Sequence, residues 1–483
     1  MKKSTFLGAA LLLISLSMNA QLRMPGVFTD GMVLQRDEPV AVWGTASPNS
    51  QVSVQFGKTK VKTRSDESGA WSVSLPAMKA CAEPQSLVVV SGKSRKVLND
   101  VLVGEVWIAS GQSNMEFNMG PLWRSGSSGK VDRPARGRFQ QAEDLIKPER
   151  EMMRMMIVEK VTNTDTLPTH GWKHVNAETI APFSACAYYF AQNLIDSLKV
   201  PVGIIESCWG GTRIETWIPE EMFLESDILK GKVADHRYDE EQIGLRFEHM
   251  VREIIPYTLR GIIWYQGESN LMMDHADVYP EMQRVLVDSW SRLWGRQLPF
   301  YYVQIAPYKY SIRRNDNIVM GWDELPKFRE AQEKSLDLIP QSGMAVITDL
   351  VDNLLDIHPT YKWEVGRRLA DLALKGTYGY DSIVADGPKV VRTWKEGSDV
   401  IVEFDRELST NDGKSPVGFS VSPNGRRYYD AEQVRLEGNR VVVSSVTRVK
   451  DPKAVRYAWD EDIITNLCGK EGLPAWQFGP RNL

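Results

Sequence analysis

The chain is poor in the features that mark specialised protein classes. Only four cysteines occur in 483 residues, Cys81, Cys186, Cys208 and Cys468. Their separations match neither a metal-ligand pattern nor a small disulfide framework, so no metal site is expected from them. Cys186 and Cys208 sit in apolar surroundings and read as buried thiols. Neither sign of charge is in large excess: the formal net charge of −4 leaves no electrostatic footprint for nucleic acid. Internal repeats and low-complexity tracts are lacking, which excludes solenoids and disordered arrays. Long apolar runs are confined to the first twenty residues. There Lys2 and Lys3 precede an apolar stretch over 6–16, and Ser17-Met18-Asn19-Ala20 follows. Residues 1–20 therefore read as a secretory signal peptide, too short to span a membrane. An exported protein, periplasmic or secreted and not inserted in a membrane once the signal is removed, is expected.

What is present describes an ordinary globular protein, with 25% charged and 42% hydrophobic residues. Its length suggests about three domains. Residues 22–100 show short alternating runs, such as 40–43 and 51–56, punctuated by Gly, Pro, Asn and Asp. That is the pattern of a β-sandwich-like domain. Over 101–378 apolar strands alternate with amphipathic helices. Strands are expected at 106–110, 155–158, 202–206, 261–265, 300–305 and 344–348. Helices are expected at 185–198, 280–293, 327–338 and 362–374. This alternation predicts an α/β domain with a parallel sheet covered on both faces. Residues 383–483 return to strand-like runs, among them 400–404 and 440–443, and read as a C-terminal β-rich domain. The stretch 125–138, rich in Gly, Ser and basic residues, reads as an exposed loop.

The chemistry falls on strand ends in the middle zone. The apolar strand before Gly111-Gln112-Ser113-Asn114-Met115 delivers a serine hydroxyl to its carboxyl end, where ligands bind in open α/β sheets. A serine there acts only with a base nearby and donors for an oxyanion. Six histidines are available, His170, His174, His236, His249, His275 and His358. His358, in Asp356-Ile357-His358-Pro359, follows the last strand and precedes a helix. It is placed to accept the serine proton, with Asp356 to hold its ring. Alternatively, Asp356 is a solvated acid in a helix-capping segment. Two more loops follow strands. Trp209-Gly210-Gly211-Thr212-Arg213 lets backbone N–H groups approach a ligand. Gln266-Gly267-Glu268-Ser269-Asn270 offers side-chain amides and a buried or substrate-facing acid.

Together these motifs resemble the SGNH-hydrolase superfamily, and within it the sialate O-acetylesterase branch of carbohydrate esterases. The resemblance is carried by Gly-Gln-Ser-Asn-Met (111–115), Gly-Gly-Thr-Arg-Ile-Glu (210–215), Trp-Tyr-Gln-Gly-Glu-Ser-Asn (264–270), Phe-Arg-Glu-Ala-Gln (328–332) and Asp-Ile-His-Pro (356–359). Asp-Gly-Met-Val-Leu-Gln-Arg (30–36) and Glu-Gly-Leu-Pro-Ala (471–475) extend it across nearly the whole mature chain. It implies a flavodoxin-like three-layer α/β/α fold. Ser113 is implied as nucleophile, His358 as base and Asp356 as its orienting acid. The implied oxyanion hole comprises the Ser113 and Gly211 backbone N–H groups plus an amide. Arg213, Glu268, Asn270 and Gln112 are the expected substrate contacts, and no metal or organic cofactor is required.

Two departures stand out. The superfamily's oxyanion asparagine, in a Gly-x-Asn-Asp loop, has no counterpart where this chain reads Gln266-Gly267-Glu268. A carboxylate cannot donate, so Gln266 is the expected third donor and Asn270 the alternative. The superfamily's acid stands three residues before its histidine, whereas Asp356 stands two before His358. A backbone carbonyl or Glu268 is therefore the alternative holder of the ring. Arg213 is placed to pair with a sugar carboxylate or, structurally, with Glu215. The expected partner is an O-acetylated sugar: a sialic acid, or a plant polysaccharide such as xylan. A carbohydrate-binding protein that keeps the fold without turnover is the reading from another class.

Overall fold

The computed structural model describes residues 22–120, 150–161, 166–232, 242–312, 320–351, 353–445 and 447–483. The expected signal peptide, the 125–138 loop, Trp123 and His236 lie outside the described residues. Seven strands form the central sheet: β1 (Ser94–Gly111), β2 (Arg150–Ile157), β3 (Lys173–Val175), β4 (Val202–Cys208), β5 (Gly261–Tyr265), β6 (Phe300–Val303) and β7 (Ser342–Ala345). Their order is β7-β6-β5-β1-β4-β2-β3. All neighbours run parallel except β3, which is antiparallel to β2. Five helices bear on the site: α1 (Ser113–Glu116), α2 (Ala185–Leu198), α3 (Tyr279–Trp294), α4 (Glu324–Leu338) and α5 (Lys362–Gly376).

Both faces of the sheet are buried, and alternate strand residues separate into two cores. Trp107, Ile204, Ile263, Tyr301 and Ala345 pack with side chains of α2 and α5. Val106, Ile205, Ile262, Phe300 and Met344 pack with those of α3 and α4. This two-residue alternation is the physical origin of the near-continuous apolar strands in the sequence. Trp107, Trp264 and Trp290 are fully enclosed, and each such side chain contributes about 2–3 kcal/mol through burial.

Strand β1 is longer than expected, and the boundary drawn at residue 100 falls inside it. Its antiparallel ladder with Cys81–Ser91 is regular up to Leu98 and runs on, with shifts of register, to Val103; from Glu105 it pairs parallel with β4. Asp100 carries a left-handed backbone (φ 56°) where the first ladder becomes irregular. Such a bulge bends a strand, and here it lets one strand serve both ladders. Strands β6 and β7 end earlier than expected because their continuations leave the ladder for other partners. The Ile305 N–H donates to Gln332 Oε1 (3.0 Å), and Thr348 O accepts from the Thr465 N–H (3.2 Å). Beyond residue 388 two four-stranded antiparallel sheets enclose a separate core that includes Val402, Val421, Val443 and Tyr457. All four cysteines are free thiols, and Cys186 and Cys208 are buried. Among the described residues, no helix is long and apolar enough to cross a membrane.

A buried carboxylate ties the N-terminal strands to the central sheet. Glu105, fully enclosed on β1, accepts from Gln35 Nε2 (3.0 Å), Arg36 Nε (2.5 Å) and Arg260 Nε (2.9 Å). Removing one member of such a cluster leaves the remaining charges uncompensated. Glu105→Ala should therefore lower unfolding free energy by roughly 3–5 kcal/mol, measured by urea denaturation. A loss below about 1 kcal/mol would show that the cluster is not a fastening.

Candidate active site

The site begins with strand register. Gly111 lies beside Cys208 on β4 and beside Tyr265 on β5, so three strands end level. The chain then turns sharply at Gly111, whose φ is +136° and where a Cβ would lie 2.2 Å from the Tyr265 carbonyl oxygen. Only glycine fits. The turn starts α1 at Ser113, so the Ser113 N–H, in the first turn, has no intrahelical acceptor.

His358 arrives from the far side of the sheet, on the long segment between β7 and α5. Its Nε2 stands 2.8 Å from Ser113 Oγ. The histidine side chain is 24% exposed and Ser113 is half-buried, so solvent reaches the pair. Asp356 Oδ1 accepts the His358 backbone N–H at 2.9 Å and lies 4.0 Å from the ring Nδ1. The acid thus fixes the histidine's backbone and sets a negative charge near its ring.

The Gly-Gly loop passes directly over the serine. A Cβ at Gly210 would come within 3.2 Å of the Ser113 Cβ. The Gly210 N–H is taken by Glu116 Oε2 at 2.6 Å, while Glu116 Oε1 accepts from Lys160. Gly211 has a left-handed backbone (φ 80°), and its Cβ direction opens on empty space. Among the described residues its N–H meets no acceptor. Among the described residues, the backbone N–H groups of Ser113 and Gly211 are thus both left without an acceptor.

The polar residues after β5 do not face the serine as expected, and this is a correction. Gln266 is fully enclosed. Its Nε2 donates to Gln112 Oε1 (3.0 Å), Asn270 Oδ1 (2.7 Å) and Thr212 O (3.2 Å), and its Oε1 accepts from Tyr279 (2.8 Å). Asn270 donates to Glu215 and His275 and accepts the Ile214 N–H. Gln112 Oε1 faces Gln266 and the N–H groups of Gly267 and Ser269. Glu268 lies beneath the site and accepts from Asn114 Nδ2 at 2.6 Å. The reason is general: amides and acids enclosed this deeply must satisfy one another. Neither Gln266 nor Asn270 has a donor left for an oxyanion. Arg213, also buried, pairs through Nε with Glu215 Oε1 at 3.1 Å.

Three side chains that sequence reasoning passed over complete the arrangement. They are Asn114, Glu116 and Lys362. Asn114 and Glu116 stand next to and three residues after Ser113, and a lysine opening an amphipathic helix beside His358 was the remaining signal. Burial lowers the Lys362 ammonium to about 8, against the pull of Cys186, Glu268 and Asp356. Burial likewise raises Glu268, against its own backbone N–H, the Asn114 bond and the Lys362 charge.

The sequence model of the family described as carbohydrate esterase, sialic acid-specific acetylesterase, matches residues 103–375. Human sialate O-acetylesterase is 27% identical over 411 residues, covering 76% of this chain and 73% of the human one. The mouse sialate O-acetylesterase is 24% identical over 511 residues, covering 92% and 91%. A crystal structure of a carbohydrate acetylesterase from Xanthomonas citri superposes with a TM-score of 0.80 at 32% identity, covering 95% of this chain and 99% of that one.

Beneath α1, Glu206 accepts the Ser184 N–H at 2.8 Å, and Ser184 in turn donates to the Met115 carbonyl. Burial holds the Glu206 carboxyl at about 8, and nearby Glu116 pushes the same way. Between its ordinary value of 4.5 and about 8, the folded chain keeps a proton that the unfolded chain has released. Stability therefore falls as pH rises through that window. Glu206→Gln keeps an acceptor for Ser184 and removes the titration. The variant should melt above the wild type at pH 8, with the gap closing toward pH 5. A gap that does not change with pH would contradict the assignment.

Proposed function

The chain belongs to the sialic acid-specific acetylesterase family of carbohydrate esterases, and we propose that it deacetylates O-acetylated sialic acid by a serine mechanism on an SGNH-hydrolase fold. Its family membership makes it a carboxylic-ester hydrolase that removes O-acetyl groups from carbohydrate. The observation that carries the mechanism is the 2.8 Å approach of His358 Nε2 to Ser113 Oγ. His358 takes the serine proton as Ser113 Oγ attacks the acetyl carbonyl carbon. The N–H groups of Ser113 and Gly211 receive the oxyanion, each worth on the order of 3 kcal/mol of barrier. His358 then protonates the departing sugar oxygen. Water, deprotonated by the same ring, releases acetate and restores the serine. Asp356 holds the histidine's backbone and favours the imidazolium by its charge.

The two cores on opposite faces of a parallel sheet support the three-layer α/β/α reading of residues 101–378. The β-rich segments 22–100 and 383–483 flank it, the first sharing strand β1 and a core with it and the second enclosing a core of its own. The charged and apolar N-terminal run supports export to the periplasm or medium. Sialic acid as substrate is supported by the sialate O-acetylesterases that this chain resembles. One observation favours a second reading, a neutral glycan such as acetylated xylan: the Arg213 charge is compensated by Glu215.

Acetate release from acetylated sialosides and xylo-oligosaccharides tests the substrate. Faster turnover of the sialosides is expected, and release from the xylo-oligosaccharides alone would replace the first reading with the second. On an aryl acetate, Ser113→Ala and His358→Ala should each cut kcat by at least roughly 10³-fold. Wild-type turnover in either variant would overturn the mechanism. Asp356→Asn keeps an acceptor for the His358 N–H, so its loss should stay well short of the roughly 10⁴-fold seen where such an acid binds the ring.

A further inference from the structure

The Asn114 side chain joins the serine turn to the segment after β5, the histidine segment and α5. It is fully enclosed, and both of its N–H donors and its oxygen are engaged. Nδ2 donates to Glu268 Oε1 at 2.6 Å and to the Ile357 carbonyl at 3.0 Å. Oδ1 accepts from Lys362 Nζ at 2.6 Å. Only one orientation of the amide is possible. Flipping it would set its oxygen against a carboxylate and a carbonyl, and its donors against an ammonium. The Lys362 ammonium is itself confined, 5.0 Å from the Phe117 ring centre and 5.1 Å from that of Tyr265.

These bonds grip His358 from both sides. The Ile357 carbonyl belongs to the peptide that leads into His358, and Lys362 lies four residues beyond it. Asn114 is covalently joined to Ser113. We infer that Asn114, oriented by Lys362 and Glu268, is the positioning residue that sets the Ser113–His358 approach. The inference rests on reading those two residues as the reacting pair. The consequence lies in alignment of the reacting atoms, since Asn114 is buried behind them and out of reach of the sugar. Losing it should slow the chemical step and leave substrate binding intact.

The test uses the full mature chain, an aryl acetate, and melting curves to confirm that each variant is folded at the assay temperature. Asn114→Ala should lower kcat by roughly 10²-fold with KM changed by less than about threefold. Asn114→Asp sets a carboxylate against Glu268 and should be at least as damaging. In the double variant Asn114→Asp/Glu268→Gln the charges are exchanged: Lys362 still finds an acceptor, and the new glutamine donates to the new aspartate. That variant should regain roughly tenfold in kcat over Asn114→Asp alone, short of wild type because the Ile357 bond is not restored. Should Asn114→Ala fail to fold, Lys362→Met keeps volume and apolar packing and is expected to lose roughly tenfold in kcat at constant KM. Wild-type kcat in the folded single variants, or a loss in KM alone, overturns the inference. So does a double variant no better than Asn114→Asp. Wild-type activity in Ser113→Ala would instead overturn the mechanism on which it rests, so the two failures are distinguishable.

Discussion

Gly111, Cys208 and Tyr265 stand side by side across three parallel strands, and the rest of the site follows from that register. Because the strands end level, the three segments that leave them must share one small space. Each solves the crowding differently. The Gly111 turn starts a helix of a single turn, the Gly210-Gly211 pair lies over that helix without side chains, and the Gln266–Asn270 segment folds downward. A slip of one residue in any ladder would turn every side chain of that strand to the other face. It would also dismantle both cores, so the packing that stabilises the sheet fixes the site as well. The four residues of α1 then distribute the alignment. Ser113 meets the histidine, Asn114 holds the segment that carries it, Met115 is held from below by Ser184, and Glu116 holds the glycine loop.

Enclosure explains the chemistry beneath the serine. Gln112, Gln266, Glu268 and Asn270 are motif residues, and their polarity suggests contact with a sugar. In the fold they bond to one another and to backbone groups, because a buried amide left unpaired costs about 1–3 kcal/mol. The polar motif therefore forms a hydrogen-bonded floor beneath the serine.

The parts of the molecule legible in its sequence are those governed by local periodicity. Helix 185–198 and strand 261–265 have the bounds expected of them. Their apolar positions repeat at 3.6 or fill a doubly buried strand, and both patterns need only near neighbours. Ser113 and His358 could be read together because each lies on a segment that follows a strand at the edge of the sheet where ligands gather. Side-chain direction was not legible. Whether Gln266 points up at a substrate or down at Gln112 depends on residues more than 150 positions away. The same holds for Asn114, whose partners at 268, 357 and 362 are brought together only by the sheet order. The strand that crosses residue 100 is longer than its local pattern shows, because Ser94–Gly111 serves two ladders in turn.

The histidine segment shows how a departure from a pattern is accommodated. The residue three before His358 is Leu355, 61% exposed, so an acid at the usual spacing is missing. Asp356 is one residue nearer, and from there its carboxylate reaches the His358 backbone N–H more closely than the ring. A shortened spacing therefore exchanges a bond to the ring for a bond to the main chain. That exchange leaves the segment in need of another restraint, because it must cross from β7 past β6 and β5 to reach the serine that follows β1. The Ile357 carbonyl, held by Asn114, supplies it at the residue where the crossing ends. The burial of Lys362 and Glu268 follows from the same need. An amide holds its orientation against thermal motion best when opposite charges fix its two ends, and those charges act strongly only where water is excluded.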